Sequence, residues 1–425
     1  MAETERATEG RAETGHPAQG RGTSHTEADR AAKYRDVFAN GEFRSIWLAE
    51  LVSSAGDQVA RIALSVLVFD RTRSATLAAL TFALTFLPAL FGPVLGGLAD
   101  RYRRREVMVA AEAAQAVLMG LMAIKGMPLV VLFVLLVLVT VCDAPSNAAR
   151  GALLADVLSG DLLTVGQGLR SMAGQVAQVG GFAVGGFLTA LFGPNGSLAV
   201  DAASFAVAAV LLMAGVRPRP APNEAGSRTS LWASTTAGAR MVFAHRELRI
   251  LILLVWMIGL PVAAEGLAVP YAATVDPGPI NAGWLLTATP LGAVVGGLVL
   301  TKLRPAIRLR VMAPLAAASG LPLLACVWQP NLPLSCVLFG LSGAAAAYMV
   351  VAPPAFIQRT PTETRGQAIG LMSSGAIAAQ GICLAIGGAI AGRLGPAGAL
   401  GVAGAATVVV GIVMSVVWLR FSRAG

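Results

Sequence analysis

Apolar stretches separated by short polar turns dominate the chain. A helix needs roughly 20 residues to cross a bilayer, and twelve stretches approach or exceed that length, near 44–69, 74–99, 106–125, 128–149, 163–191, 196–216, 248–273, 281–301, 310–328, 332–352, 366–392 and 397–420. In hydrocarbon a single segment satisfies its own backbone groups only as a helix, so the pattern predicts an all-α membrane protein of twelve transmembrane helices. Residues 1–42 are polar and mixed in charge, and predict a disordered tail. No apolar region with a small-residue cleavage site precedes Phe43, so the first span is read as its own insertion signal. A second polar stretch, 217–247, opens with Arg217-Pro218-Arg219-Pro220-Ala221-Pro222 and separates six spans from six. The predicted division is a tail at 1–42, a six-helix half at 43–216, a linker at 217–247, a second six-helix half at 248–421 and a short tail at 422–425.

Composition agrees. Of 425 residues 56% are hydrophobic and 13% charged, against about 25% charged in soluble domains. The 48 glycines suit close helix packing where lipid supplies no hydrophobic drive. A net charge of +9 raises the question of nucleic acid, but the positive residues sit between apolar segments and form no continuous basic face. Their distribution sets orientation instead. With the tail inside, the inner loops hold Arg101, Arg103 to Arg105, Arg150, the arginines of 217–249, Lys302, Arg304, Arg308, Arg310, Arg359 and Arg365, while the outer loops hold Arg71, Arg73, Lys125 and Arg393. Both termini are therefore expected to be cytoplasmic, in a bacterial inner membrane. Cys142, Cys326, Cys336 and Cys383 lie in apolar stretches without metal or redox spacing, so no metal or cofactor is expected.

The two halves resemble each other. Phe91-Gly92-Pro93-Val94-Leu95-Gly96-Gly97-Leu98 aligns with Leu291-Gly292-Ala293-Val294-Val295-Gly296-Gly297-Leu298, and Ala183-Val184-Gly185-Gly186 with the following Gly193-Pro194 aligns with Ala385-Ile386-Gly387-Gly388 and Gly395-Pro396. Near-equal spacings at two places predict pseudo-symmetric six-helix halves, an arrangement common in secondary transporters.

Gly96-x-x-x-Asp100-Arg101-x-Arg103-Arg104-Arg105, between the second and third spans, resembles the G-x-x-x-D-R-x-G-R-R signature of the major facilitator superfamily, with Arg103 where the family has Gly. The resemblance implies the major facilitator fold and a conformational latch made by Gly96, Asp100, Arg101, Arg104 and Arg105, with Asp143 as a candidate partner. The arginines can also serve topology alone. Gly181-Phe182-Ala183-Val184-Gly185-Gly186 is similar to the G-P-x-x-G-G element of drug exporters, with Phe182 replacing proline, which marks Gly181, Gly185 and Gly186 as a helix-packing motif. The regions around Ser53 to Asp57 and Asp143-Ala144-Pro145 resemble the macrolide-efflux and enterobactin-exporter branch.

A charge at a helix centre costs about 2.5–3.5 kcal/mol on insertion scales, so each one marks a candidate site. Glu50, Ser54, Asp57 and Arg61 fall on one stripe of the first span. Asp57 and Arg61 at i, i+4 either form a neutral pair that only holds helices, or exchange a proton, since burial favours the neutral acid and the adjacent guanidinium favours the anion. Glu265, between Pro261 and Pro270 in the seventh span, is the second candidate, either as a cavity acid or as a carboxylate solvated at the membrane edge. Glu112 and Asp201 are read as structural, and Trp47, Trp256, Trp284, Trp328 and Trp418 chiefly as interface anchors.

The expected function is export of lipophilic or amphipathic small molecules by alternating access and proton antiport, by a monomer whose partners are its substrate, protons and the lipid bilayer. No G-x-x-x-x-G-K-[ST] loop is present for ATP. A narrower alternative is a dedicated exporter of a native metabolite, such as a siderophore or self-made antibiotic. A non-transporting sensor is the alternative from another class, though the tail and linker are short and polar for a sensing domain. Catalysis is not expected, because His16, His25 and His245 lie outside the spans and no polar cluster suggests an active site.

Overall fold

The computed structural model describes residues 34–86, 102–220 and 239–424. Gly96, Asp100 and Arg101, the first copy of the glycine repeat at 91–98, and most of the tail and linker lie outside the described residues. The elements are α1 (Tyr34–Ala39), α2 (Gly41–Thr72), α3 (Ala75–Phe86), α4 (Arg104–Met122), α5 (Leu129–Val157), α6 (Asp161–Gly215), α7 (Arg246–Trp256), α8 (Gly259–Val275), α9 (Pro279–Thr301), α10 (Pro305–Ala318), α11 (Gly320–Ala325), α12 (Leu332–Ala346), α13 (Ala352–Arg359) and α14 (Arg365–Ala424). Short 3-10 turns connect several of them.

Eight helical segments among the described residues are long and apolar enough to cross a membrane. Two of these, α6 and α14, bend sharply, at Gly193 (φ 70°, ψ 171°) and Gly395 (φ 74°, ψ 167°). Only glycine enters that region of backbone space readily, and each is followed by a proline, Pro194 or Pro396, which suits the first turn of the next helix. Each long helix thus becomes a pair of crossings, and with α3 and α4 the arrangement accords with twelve. The seventh span breaks at Met257–Ile258, between α7 and α8, ahead of Glu265. Pro261, in the first turn of α8, has no N–H to carry the α7 ladder onward.

Helix starts follow local chemistry. Asn40 caps α2, its side-chain oxygen accepting from the N–H of Glu42 at 2.9 Å and of Phe43 at 3.2 Å. Tryptophans are more than interface anchors: Trp47, Trp256 and Trp418 donate their indole N–H to the carbonyls of Leu169, Met372 and Leu309 on other helices, and Trp418 is buried. Among the described tryptophans, Trp284 and Trp328 are the exposed ones.

The first and seventh spans hold the centre. The apolar window of α2 is 67% buried and that of α7–α8 is 72%, against 28–44% for the other six spanning segments. The candidate acids Asp57 and Glu265 thus ride on the two most buried of these eight segments. An apolar cluster joins the halves around them, with Ile62, Phe82 and Phe182 from one and Leu267, Leu285 and Leu384 from the other. Backbone meets backbone where Gly186 of α6 faces Gly283 of α9, so close that a Cβ on Gly186 would stand 2.9 Å from Gly283 Cα. Nearby, Thr76 Oγ1 donates to the Gly388 carbonyl at 2.7 Å.

The bends yield a stability test. Gly193→Ala and Gly395→Ala each force a side chain into the glycine region, at a cost of about 1–3 kcal/mol. Each variant should lower the melting temperature in detergent, and an unchanged melting temperature in both would show that the bends are not strained for alanine.

Candidate functional site

Charge enters the N-terminal half in two layers. The first joins four helices. Glu50 of α2 accepts a fork of two bonds from Arg170 of α6, Nε and an NH2 group each at 2.7 Å, the bidentate geometry that suits guanidinium and carboxylate. Arg150 of α5 donates to Glu112 of α4 at 2.8 Å and stands 3.8 Å from Glu50. The Arg150 and Glu112 side chains are only 7% and 3% exposed, which makes this a buried network rather than a surface pair.

The second layer lies two turns further along the same helices. Asp57 follows Glu50 by seven residues, as Asp143 precedes Arg150 by seven, a displacement of about 10 Å at 1.5 Å per residue. Here Asp57, Arg61 and Asp143 line one cavity of about 50 Å³ with Thr81, Phe82, Thr85, Met119, Leu136 and Thr140. Gln115 of α4 donates its amide N–H to Asp143 Oδ1 at 2.7 Å, which orients that carboxylate. Among the described residues no ion pair within 4.0 Å forms at Asp57 or Arg61, so the i, i+4 spacing is not used as a closed bridge. Arg61 instead lies within electrostatic reach of Asp57, Asp143 and, on the other half, Glu265. Glu265 is buried and does not line the cavity of Asp57.

The latch residues that fall in the described chain take other partners than expected. Arg104 pairs with Asp156 and also donates to the Ala152 carbonyl, Arg105 donates to the Met213 carbonyl, and Arg103 pairs with Glu106 at 3.1 Å. Asp143 is not the partner of these arginines: it lies 13 residues before Asp156 on α5, about 20 Å away along the axis, and faces the cavity. Gly181 and Gly185 face α2, where added Cβ atoms would stand 2.7 Å from the Ala55 carbonyl and 2.9 Å from Val59 Cα, and Gly186 faces α9. Arg150, Arg170, Gln115 and Asp156 are the residues that sequence reasoning did not bring to the site. A weak signal existed, since Glu112 to Gln115 and Asp143 to Arg150 each place polar groups on one helix face.

A body that is helical throughout its described spans, an interrupted seventh span and buried acids on the enclosed first and seventh spans define a major facilitator transporter, not an enzyme. Over residues 36–424 the chain matches the profile of the family described as transmembrane secretion effector, and it belongs to that family. It is 29% identical over 374 residues to the multidrug efflux pump Tap of Mycobacterium tuberculosis, covering 82% of this chain and 87% of that one. It is 25% identical over 174 residues to macrolide efflux protein A of Streptococcus pyogenes, covering 40% and 43% of the two chains. The crystal structure of the nucleoside transporter NupG superposes with a TM-score of 0.71 at 11% identity over 89% of this chain and 99% of that one, which shows the shared fold.

Removing one member of a buried ion pair strands the other, typically at a cost of about 3–5 kcal/mol. Arg150→Gln should therefore lower the melting temperature strongly, and adding Glu112→Gln should recover part of the loss. Equal melting temperatures for Arg150→Gln and the wild type would mean that the pair is solvated and not structural.

Proposed function

We propose that this protein exports lipophilic or amphipathic small molecules across a bacterial inner membrane by proton antiport and alternating access, as a monomer with both termini in the cytoplasm. The observation that carries this reading is the cavity of Asp57, Arg61 and Asp143, set beside the enclosed first span α2. At about 50 Å³ it has room for water, not for a drug-sized ligand, whose pockets run to about 300–1,000 Å³. It suits protons. The relatives named as multidrug and macrolide efflux proteins support a lipophilic cargo and the outward direction.

The conformation supports an inward-facing state. The halves close at Gly186 against Gly283 and at Thr76 against Gly388. At the arginine-rich end, Arg104–Asp156, Arg170–Glu50 and Arg359–Glu247 each stay within one half. Arg61 then links chemistry to motion. When Asp57 binds a proton, Arg61 is left with Asp143 and Glu265 as its counter-charges, and attraction to Glu265 favours contact between α2 and α8. When the proton leaves, Asp57 reclaims Arg61 and that contact weakens. Cationic substrate near Glu265 would compete for the same carboxylate and so promote proton release. The unpaired state of Glu265 among the described residues favours this role over a solvated edge carboxylate.

The test uses inverted membrane vesicles carrying a preformed pH gradient, to which a panel of lipophilic cations and macrolides is added. The wild type should release protons on addition of a transported compound. Asp57→Asn and Glu265→Gln should each reduce that release about ten-fold or more, a loss of about 1.4 kcal/mol or more. No response to any compound from folded, inserted protein would overturn drug antiport in favour of a dedicated metabolite exporter or another energy source.

A further inference from the structure

The N-terminal half buries more acid than base. Around the two charged layers the described residues place five carboxylates, Glu50, Asp57, Glu112, Asp143 and Asp201, against three guanidinium groups, Arg61, Arg150 and Arg170. Arg170 answers Glu50, and Arg150 answers Glu112. Arg61 is shared by Asp57 and Asp143, which leaves one carboxylate of that pair, and Asp201, without a cation.

Asp201, on α6 beyond its bend, has the more extreme surroundings. It is fully buried. Its Oδ1 accepts one hydrogen bond, from Ser204 Oγ at 3.0 Å, and its Oδ2 is buried without a hydrogen-bond partner. Opposite lies Gly56 of α2, where any Cβ would overlap Asp201 Oδ1 and Ser204 Oγ. Gly56 is the residue before Asp57, so the missing side chain lets the acid of α6 press against the helix that carries the cavity carboxylate. The charged groups bearing on Asp201 from neighbouring elements are Asp57 of α2, Asp143 of α5 and Glu112 of α4, all acids. Moving an uncompensated carboxylate into such a place would cost far more than binding a proton.

We propose that Asp201 is a second proton-binding site of the transporter, occupied in this conformation and exchanging with Asp57 around Gly56. The inference rests on the proton-coupled reading and adds to it: the N-terminal half then holds two exchangeable protons, one shared by Asp57 and Asp143 and one on Asp201 Oδ2. On deprotonation the proton passes from Asp201 to the Asp57 carboxylate and on to water in the cavity, and Asp201 gains the negative charge. The inward-facing packing against Gly56 disfavours that anion, so its formation favours departure from this state.

The test is infrared spectroscopy of the full-length protein in lipid nanodiscs, with carbon-13 in the aspartates, titrated from acid to alkaline pH. The wild type should show protonated aspartyl carbonyl bands that disappear as pH rises, and Asp201→Asn should remove one of them. The double variant Asp57→Asn/Asp143→Asn, which leaves Asp201 in place, should retain that band, and this covers the case in which Asp201→Asn does not fold. In vesicles, the protons released per macrolide transported by Asp201→Asn should fall to about half the wild-type ratio. An Asp201 band that is absent, or that stays unchanged across the whole titration, would overturn the proposal even if Asp57-dependent proton release remained intact. An Asp201 band that titrates in a protein that moves no protons with substrate would uphold the proton site and sink the coupling reading instead.

Discussion

A charge carried into the membrane interior must meet an opposite charge or surrender its own, and this governs the N-terminal half. Arg150 and Arg170 meet the demand for Glu112 and Glu50, and in doing so tie α2, α4, α5 and α6 to one another. Such pairs add little net stability once desolvation is counted. Their effect is on register: the forked bond of Arg170 on Glu50 has one geometry, and it sets where α6 stands along α2. Two turns away α2 holds Asp57 and Arg61 and α5 holds Asp143, and there cations run short. The first layer is balanced and rigid, and the second is unbalanced and able to respond.

Small residues supply the complementary constraint. Helices in lipid gain nothing from hiding apolar surface, so they associate where backbones can approach. Residues 181–186 of α6 use this on two faces, with Gly181 and Gly185 against α2 in the same half and Gly186 against α9 in the other. One short segment therefore connects the helix bearing Asp57 to the seam between the halves. Contact at that seam rests on glycine backbones, the Thr76 hydroxyl bond and an apolar cluster.

Much of this was legible in the residues alone. The apolar periodicity of the spans leaves helices as the available structure, and the Gly-Pro pairs at 193–194 and 395–396 mark where the two long helices turn back. The stripe of Glu50, Asp57 and Arg61 follows from helical geometry. What the stripe means did not follow, because Glu50 belongs to the balanced layer and Asp57 to the unbalanced one, and the difference is made by Arg170, 120 residues away. Asp143 was legible as a candidate partner for the latch arginines but not as a cavity residue, since its position relative to Asp57 depends on how α5 lies beside α2. Asp201 reads as a span-end carboxylate in sequence, and only its packing against Gly56 exposes its lack of a counter-charge.

The sequence by itself determined the class of structure, because hydropathy, glycine content and turn chemistry act over a few residues and have one solution in a bilayer. It also marked Glu50, Asp57, Arg61 and Glu265 as ionisable side chains within the spans. Tertiary structure alone decided which of them are paired, because electrostatic energy in a low-dielectric interior depends on distances between helices that are far apart in the chain.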